Sequence, residues 1–448
     1  MNFLPEKKYY KDIFRLALPA IAGLSTQMVV SLVDAAMVGR LENTKYVLAA
    51  MGIGVLATWA LVSFFSSLAT GTHVIVARKY GEKDYDACAV TLNNSIIIAL
   101  TIGVAVMFVA VFAAKHFAHL LAADPIVGDY AAQFIFFRFL GIPAFLVSVS
   151  YRGFFFGINK TKIFMFSGIT TNVLNIIFNY FLIYGSFGIV PKMGLAGAGL
   201  GSTLATTFDF LFYFTVSQFP SYRHRYRILK NFKIDFSVIR KIYKISLPVS
   251  FQNVFILLGF LSFITIMGFI GIKEQAATQA VISTLFISFL PCFGFGIAAQ
   301  TLVGNYIGSK KFNLAKIYGF ETAKVATYYT ILLGIVFILL PQYVLTIITT
   351  NQSIIDVAKP ALRIAGFAQI FYAVGVVLAN GLQSAGKTLF VMLAESLTNL
   401  LIFVPLAYFF GIFLKGGLIG AWLALPVYII LYSSIIFTKF KYGDWKTI

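Results

Sequence analysis

Apolar residues run along this chain in blocks of about twenty or more, parted by short charged or Pro/Gly-containing breaks. The blocks fall near 13–38, 47–71, 90–113, 128–155, 163–184, 194–218, 246–270, 277–302, 322–340, 360–384, 389–410 and 418–437. At 1.5 Å per residue, each is long enough to cross a hydrocarbon core of about 30 Å as a helix. Strands of a membrane barrel are excluded, because these alternate apolar and polar positions over roughly ten residues. The pattern predicts an all-α polytopic membrane protein with 12 transmembrane helices.

The first six spans repeat in the second six. Leu18-Pro19 returns as Leu247-Pro248, Gly39 as Gly268 and Gly81 as Gly308. Arg138 and Gly141 return as Arg363 and Gly366, Lys160-Thr161 as Lys387-Thr388, and Thr171-Asn172 as Thr398-Asn399. Gly194-Leu195-Ala196-Gly197-Ala198 returns as Gly417-Leu418-Ile419-Gly420-Ala421, and the offsets drift only from 229 to 223. One six-helix unit is therefore used twice, with the same topology because six is even. The expected organisation is an N-terminal lobe at 1–218, a basic linker at 219–245 and a C-terminal lobe at 246–448. Two related bundles are a transporter signature, with substrate held near the midplane. A channel or membrane enzyme seldom needs them, and no catalytic constellation is visible, so an enzyme is not expected.

Composition agrees with burial in lipid. Of 448 residues 59% are hydrophobic and 11% charged, leaving too little polar surface for soluble domains. The net charge of +19 raises nucleic acid as a partner, but placement decides against it. With the N-terminus inside, 26 Lys and Arg fall on cytoplasmic segments and 8 on outer ones, which puts both termini in the cytoplasm of a cell-membrane protein. Eight of the 26 lie in the linker, where anionic lipid is the natural partner.

Few acids lie within spans, and burying one is costly enough to make each a functional candidate. Asp34 shares a face of the first span with Ser31 and Gln27, and the fifth span carries Asn172, Asn175 and Asn179 at i, i+3 and i+7. These stripes, with Thr206 of the sixth span, could line one wet cavity. Asp34 reads either as a proton carrier or as a static tie between helices. Asp209 and Glu395, towards the inner ends of their spans, could line an inward cavity or meet a loop cation. Arg138 and Arg363 are repeat-related, which favours packing or interface anchoring.

The motifs also resemble a known family. Leu16-Ala17-Leu18-Pro19 followed by Val33-Asp34-Ala35-Ala36-Met37-Val38-Gly39-Arg40 resembles the first helix of multidrug and toxic compound extrusion (MATE) transporters. Ala299 to Gly308 (AQTLVGNYIG) is similar to their eighth-helix motif, and Gly194 to Ala198 to the start of their sixth. The resemblance implies two six-helix lobes, alternating access and cation-driven export of organic, often cationic, compounds. In the DinF-like branch it implies a proton-linked carboxylate at Asp34, a cavity glutamine at Gln27 and a bend at Pro19. Some relatives carry Asp where this chain has Asn179. The acids that NorM-like and eukaryotic members carry in helices 7 and 10 have no counterpart in 246–270 or 364–384.

Other signals are set aside. Gly381 to Thr388 matches the P-loop pattern, but a P-loop needs a preceding strand in a soluble α/β domain, so no ATP is expected. His116 and His119 have no Cys or carboxylate at ligand spacing, and Cys88 and Cys292 are too few for a zinc site, so no metal is expected. No cofactor is expected beyond a coupling ion, H⁺ or alternatively Na⁺, and the protein is expected to act as a monomer. A lipid-linked sugar flippase is the competing reading; it should show a strongly cationic cavity.

Overall fold

The computed structural model describes residues 6–185, 190–229 and 233–445. Lys230 and Lys446, two of the basic residues counted towards the cytoplasmic side, lie outside the described residues. Among the described residues seventeen α-helices follow one another: α1 (Lys7–Val38), α2 (Thr44–Phe65), α3 (Ser67–Gly81), α4 (Tyr85–Leu121), α5 (Pro125–Phe139), α6 (Ile142–Gly157), α7 (Thr161–Tyr184), α8 (Leu195–Ser217), α9 (Pro220–Tyr226), α10 (Phe236–Ile270), α11 (Ile272–Gly308), α12 (Phe312–Leu339), α13 (Pro341–Thr346), α14 (Gln352–Ser384), α15 (Thr388–Thr398), α16 (Val404–Tyr408) and α17 (Gly417–Tyr442). π-helical turns at Asn399–Phe403 and Phe409–Phe413 flank α16.

Among the described residues ten helical segments are long and apolar enough to cross a membrane, and the bent pair α5 and α6 makes an eleventh. The twelfth, α8, has 23 residues, but Gly, Ser, Thr and Asp209 dilute its apolar character. Most helices outrun the apolar blocks: α4 extends past 90–113 to Tyr85–Leu121, and α10 starts at Phe236 rather than 246. Apolarity marks the stretch in lipid, whereas a helix continues wherever its backbone bonds and caps allow. Asp84 caps α4 by accepting from Ala87 N at 3.0 Å, and Asp124 caps α5 from Ile126 N at 2.8 Å with Pro125 in the first turn.

The two copies share their turns. α3 and α11 end with Lys83 and Lys310 in the left-handed region, and Asp84 N and Lys311 N each bond the carbonyl five residues back. α6 and α14 end the same way, with Asn159 and Gly386 left-handed and Lys160 N and Lys387 N bonded to Phe155 O and Leu382 O. The P-loop-like segment is thus a helix C-cap between two helices.

The copies differ where proline differs. The span expected at 128–155 is broken into α5 and α6 with a bend of 47°. Pro143 follows Gly141 there, and a proline inside a helix lacks the donor and crowds the preceding turn. Its repeat mate keeps Ala368 after Gly366, and α14 runs unbroken.

By contacts the chain forms two compact units, one of Ala22–Ser246 and one made of Leu247–Ile448 together with Met1–Ile21. Ile13, Leu16 and Ala17 of α1 are buried in one cluster with Cys292 and Phe295 of α11, which assigns the start of α1 to the second unit. The described parts of the basic segment, 219–229 and 233–245, belong to the first unit. Tyr226 and Ile228 are buried, and Asn94 of α4 receives Asp235 N at 2.9 Å and donates to Lys233 O at 3.1 Å.

Candidate functional site

In the unit Ala22–Ser246, α7 and α8 approach closely because α8 begins with small residues. A Cβ at Gly197 would fall on the backbone of Leu182, and one at Gly201 on Asn179 Oδ1. This approach buries the polar face of α7. Asn179 Nδ2 donates to Asp34 Oδ1 at 2.8 Å and to Asn175 Oδ1 at 3.2 Å, and Asn175 Nδ2 donates to Ser202 Oγ at 3.3 Å. Asp34, Asn179, Asn175 and Ser202 therefore form one chain of bonds across α1, α7 and α8. Asn179 Oδ1 is buried against Gly201 with no bonding partner. Tyr184 OH donates to Met37 O at 2.7 Å and holds α1 and α7 together beyond the cluster.

The other residues read as one cavity are divided between three places. Ser31 is exposed, and its hydroxyl bonds back to Gln27 O at 3.0 Å. Thr206 bonds back to Ser202 O at 2.8 Å and lines a cavity of about 50 Å³ with Arg138, Thr58 and Phe139. Gln27 and Asn172 line a different cavity, of about 70 Å³, with Asp209, Arg152, Phe164 and Tyr213. The single wet cavity expected from the sequence is thus a polar face with Asp34 towards one end and Asp209 towards the other.

Asp209 accepts hydrogen bonds from Ser167 and, at 3.2 Å, from Thr171, both on α7. Arg152 of α6 lies within electrostatic reach of Asp209 and over the ring of Phe164, 5.7 Å from its centroid. Arg138 of α5 acts on Asp34 in the same through-space manner. Sequence reading missed Ser167 and Thr171 as partners of Asp209, and Ser202 as the partner of Asn175. Ser167 and Thr171 did carry a signal, standing three and two turns before Asn179 on the same helix face.

The second unit has its own buried acid. Glu395 of α15 is 5% exposed, accepts from Tyr428 OH, and has Tyr432 beside it. The helix turns π one residue after Thr398, and Asn399 Oδ1 is buried beside Gly259 of α10 without a partner. Pro19 lies inside an unbroken α1, as Pro248 does inside α10.

The comparisons follow the same division. The MatE family model matches residues 19–181 and 248–437, its two matches starting at the repeat-related prolines. The chain is similar to a probable multidrug resistance protein NorM of Thermotoga maritima, 25% identical over 99% of this chain and 96% of that one. It also resembles an uncharacterized transporter YisQ of Bacillus subtilis, 25% identical over 92% and 90%. Among solved structures, an outward-facing multidrug resistance MATE family transporter of the MOP superfamily has TM-score 0.88 at 19% identity, over 96% of this chain and 95% of that one. At that identity the likeness shows the fold.

Proposed function

The chain belongs to the MatE family, and we propose that this membrane transporter is a proton-coupled antiporter of the DinF-like branch exporting organic, often cationic, compounds by alternating access. The observation that carries the reading is the chain of bonds from the half-buried Asp34 through the buried Asn179 and Asn175 to Ser202. An ionised Asp34 supplies the charge that attracts an organic cation, and the two amides supply donors and acceptors beside it. A proton arriving from outside neutralises Asp34 and weakens that attraction, so proton and substrate compete for one carboxylate. Pro19, which has no N–H to give the preceding turn, is the place where α1 can bend as the site changes access. The export of drugs is the part supported by the relatives' names, and both termini in the cytoplasm is the part supported by the Lys and Arg bias.

The electrostatic reach of Asp34 to Arg138 and of Asp209 to Arg152 weighs against the flippase reading. A pyrophosphate-bearing lipid needs a strongly cationic cavity, and here each of these arginines has an acid near it, though among the described residues neither is ion-paired. The test is efflux of ethidium and a fluoroquinolone from pump-deficient cells, with wild type and Asp34→Asn compared under imposed proton or sodium gradients. Export by wild type that needs the proton gradient and disappears in Asp34→Asn is the expected result. Export driven only by sodium would replace the ion. No export, with both proteins in the membrane, would reject the reading.

A further inference from the structure

Like Asp34, Asp209 is a carboxylate within an apolar span of the unit Ala22–Ser246, and coupling at Asp34 leaves it without a role. The two acids are bonded to opposite parts of one helix. Ser167, Thr171, Asn175 and Asn179 recur every fourth residue along α7, a stripe that covers about 18 Å of its axis. Ser167 and Thr171 bond Asp209, while Asn179 bonds Asp34. Each acid also has an arginine in reach, Arg152 for Asp209 and Arg138 for Asp34. The Asp209 end is that of Arg152, Lys160 and Lys162, the side the charge bias makes cytoplasmic.

Cavity size separates the possible ligands. The space beside Asp209 is about 70 Å³. Water occupies about 30 Å³, so two molecules fit. A drug-sized ligand needs a pocket of roughly 300 Å³ or more. A metal cation would meet Arg152, whose charge opposes it. The remaining fit is a proton carried on water, and the cavity wall suits that. Ser167, Thr171 and Asn172 face it from α7, Ser148 and Arg152 from α6, and Tyr213 from α8, while Asn172 Nδ2 is buried with no protein partner.

We propose that Asp209 is the proton-exit site of this transporter: a proton taken up at Asp34 leaves to the cytoplasm through Asp209, passed between them by water held along the polar face of α7. This rests on the proton-coupled reading above. Amides position water but do not hold an excess proton, so the carboxylates are the stations. The O–H bond of protonated Asp34 breaks as its proton passes to water, the far water gives a proton to Asp209, and Asp209 gives it to cytoplasmic water. No electrons move. Ser167 and Thr171 act as positioning residues.

The experiment uses the full protein in liposomes with pyranine inside and ethidium as the transported probe. Wild type, Asp34→Asn, Asp209→Asn and Asp209→Glu are compared for proton-driven ethidium movement, proton flux and ethidium–ethidium exchange. Removing Asp209 should cut the driven movement and the proton flux about a hundredfold, the scale of losing a positioned proton carrier. Exchange, which needs no proton release, should stay within about twofold of wild type, a split that separates coupling from binding. Asp209→Glu should restore the driven movement, which a folding defect would not allow. Normal driven movement in Asp209→Asn overturns the proposal while leaving Asp34 intact. Loss of exchange together with drive in Asp209→Asn also overturns it, by making Asp209 a structural or substrate residue. Wild type that moves ethidium without protons removes the proton-coupled reading and this inference with it.

Discussion

The side-chain amide of Asn179, on α7, lies 2.8 Å from a carboxylate oxygen of Asp34, on α1. A hydrogen bond to a charged group is worth about 1.5–3 kcal/mol. In a membrane interior the helices pair polar groups in both native and denatured forms, which brings side-chain bonds towards about 0.6 kcal/mol. Asn179→Ala should therefore weaken proton-driven efflux by about three- to tenfold rather than abolish it, about 0.6–1.4 kcal/mol on the rate scale. Initial efflux rates in reconstituted vesicles check this.

Gly201 makes that contact possible, since a Cβ there would fall on Asn179 Oδ1. Gly201→Ala should displace Asn179 and destabilise the unit by about 1–3 kcal/mol, the cost of overpacking. Gly52→Ala is the control, because a Cβ at Gly52 meets nothing within 4 Å. Thermal unfolding in detergent should separate the two variants, with only Gly201→Ala melting earlier.

Tyr428 is the donor that satisfies the buried Glu395. Tyr428→Phe removes that hydroxyl and leaves the carboxylate to Tyr432. The expected loss is about 1–3 kcal/mol of stability, as for any buried acceptor deprived of its donor. Glu395→Gln in the Tyr428→Phe background should recover part of it by removing the charge. Melting temperatures of the two single variants and the pair form the cycle that tests this.

Asn94 holds two backbone groups of the segment before α10. Asn94→Ala frees both, each bond worth about 1 kcal/mol, so trypsin should cut at Arg227 or Lys233 about tenfold faster or more. Equal cleavage in wild type and variant would show that the segment opens without breaking this latch.

Both natural cysteines are buried, which leaves a quiet background for labelling. Lys83→Cys should react with an impermeant maleimide only from the cytoplasmic side, and Lys192→Cys only from outside. The reverse pattern would invert the orientation inferred from the Lys and Arg bias.

The order of apolar blocks, the double repeat and the candidate acids were legible from sequence because each is a local or periodic property. Twenty apolar residues make a membrane helix whatever their neighbours, and a repeat survives in paired features such as Pro19 and Pro248. Other features depended on which faces meet. Gln27 and Asp34 share a face of α1, yet one lines the cavity of Asp209 and the other bonds Asn179, because α7 presents different residues at successive turns. The packing of α5 brings Arg138 within reach of Asp34. The break at Gly141 follows from a proline two residues on, but the start of α1 joining the second unit follows from side chains buried against α11. Helical periodicity specifies what a helix offers, and only close packing selects which offer is taken up.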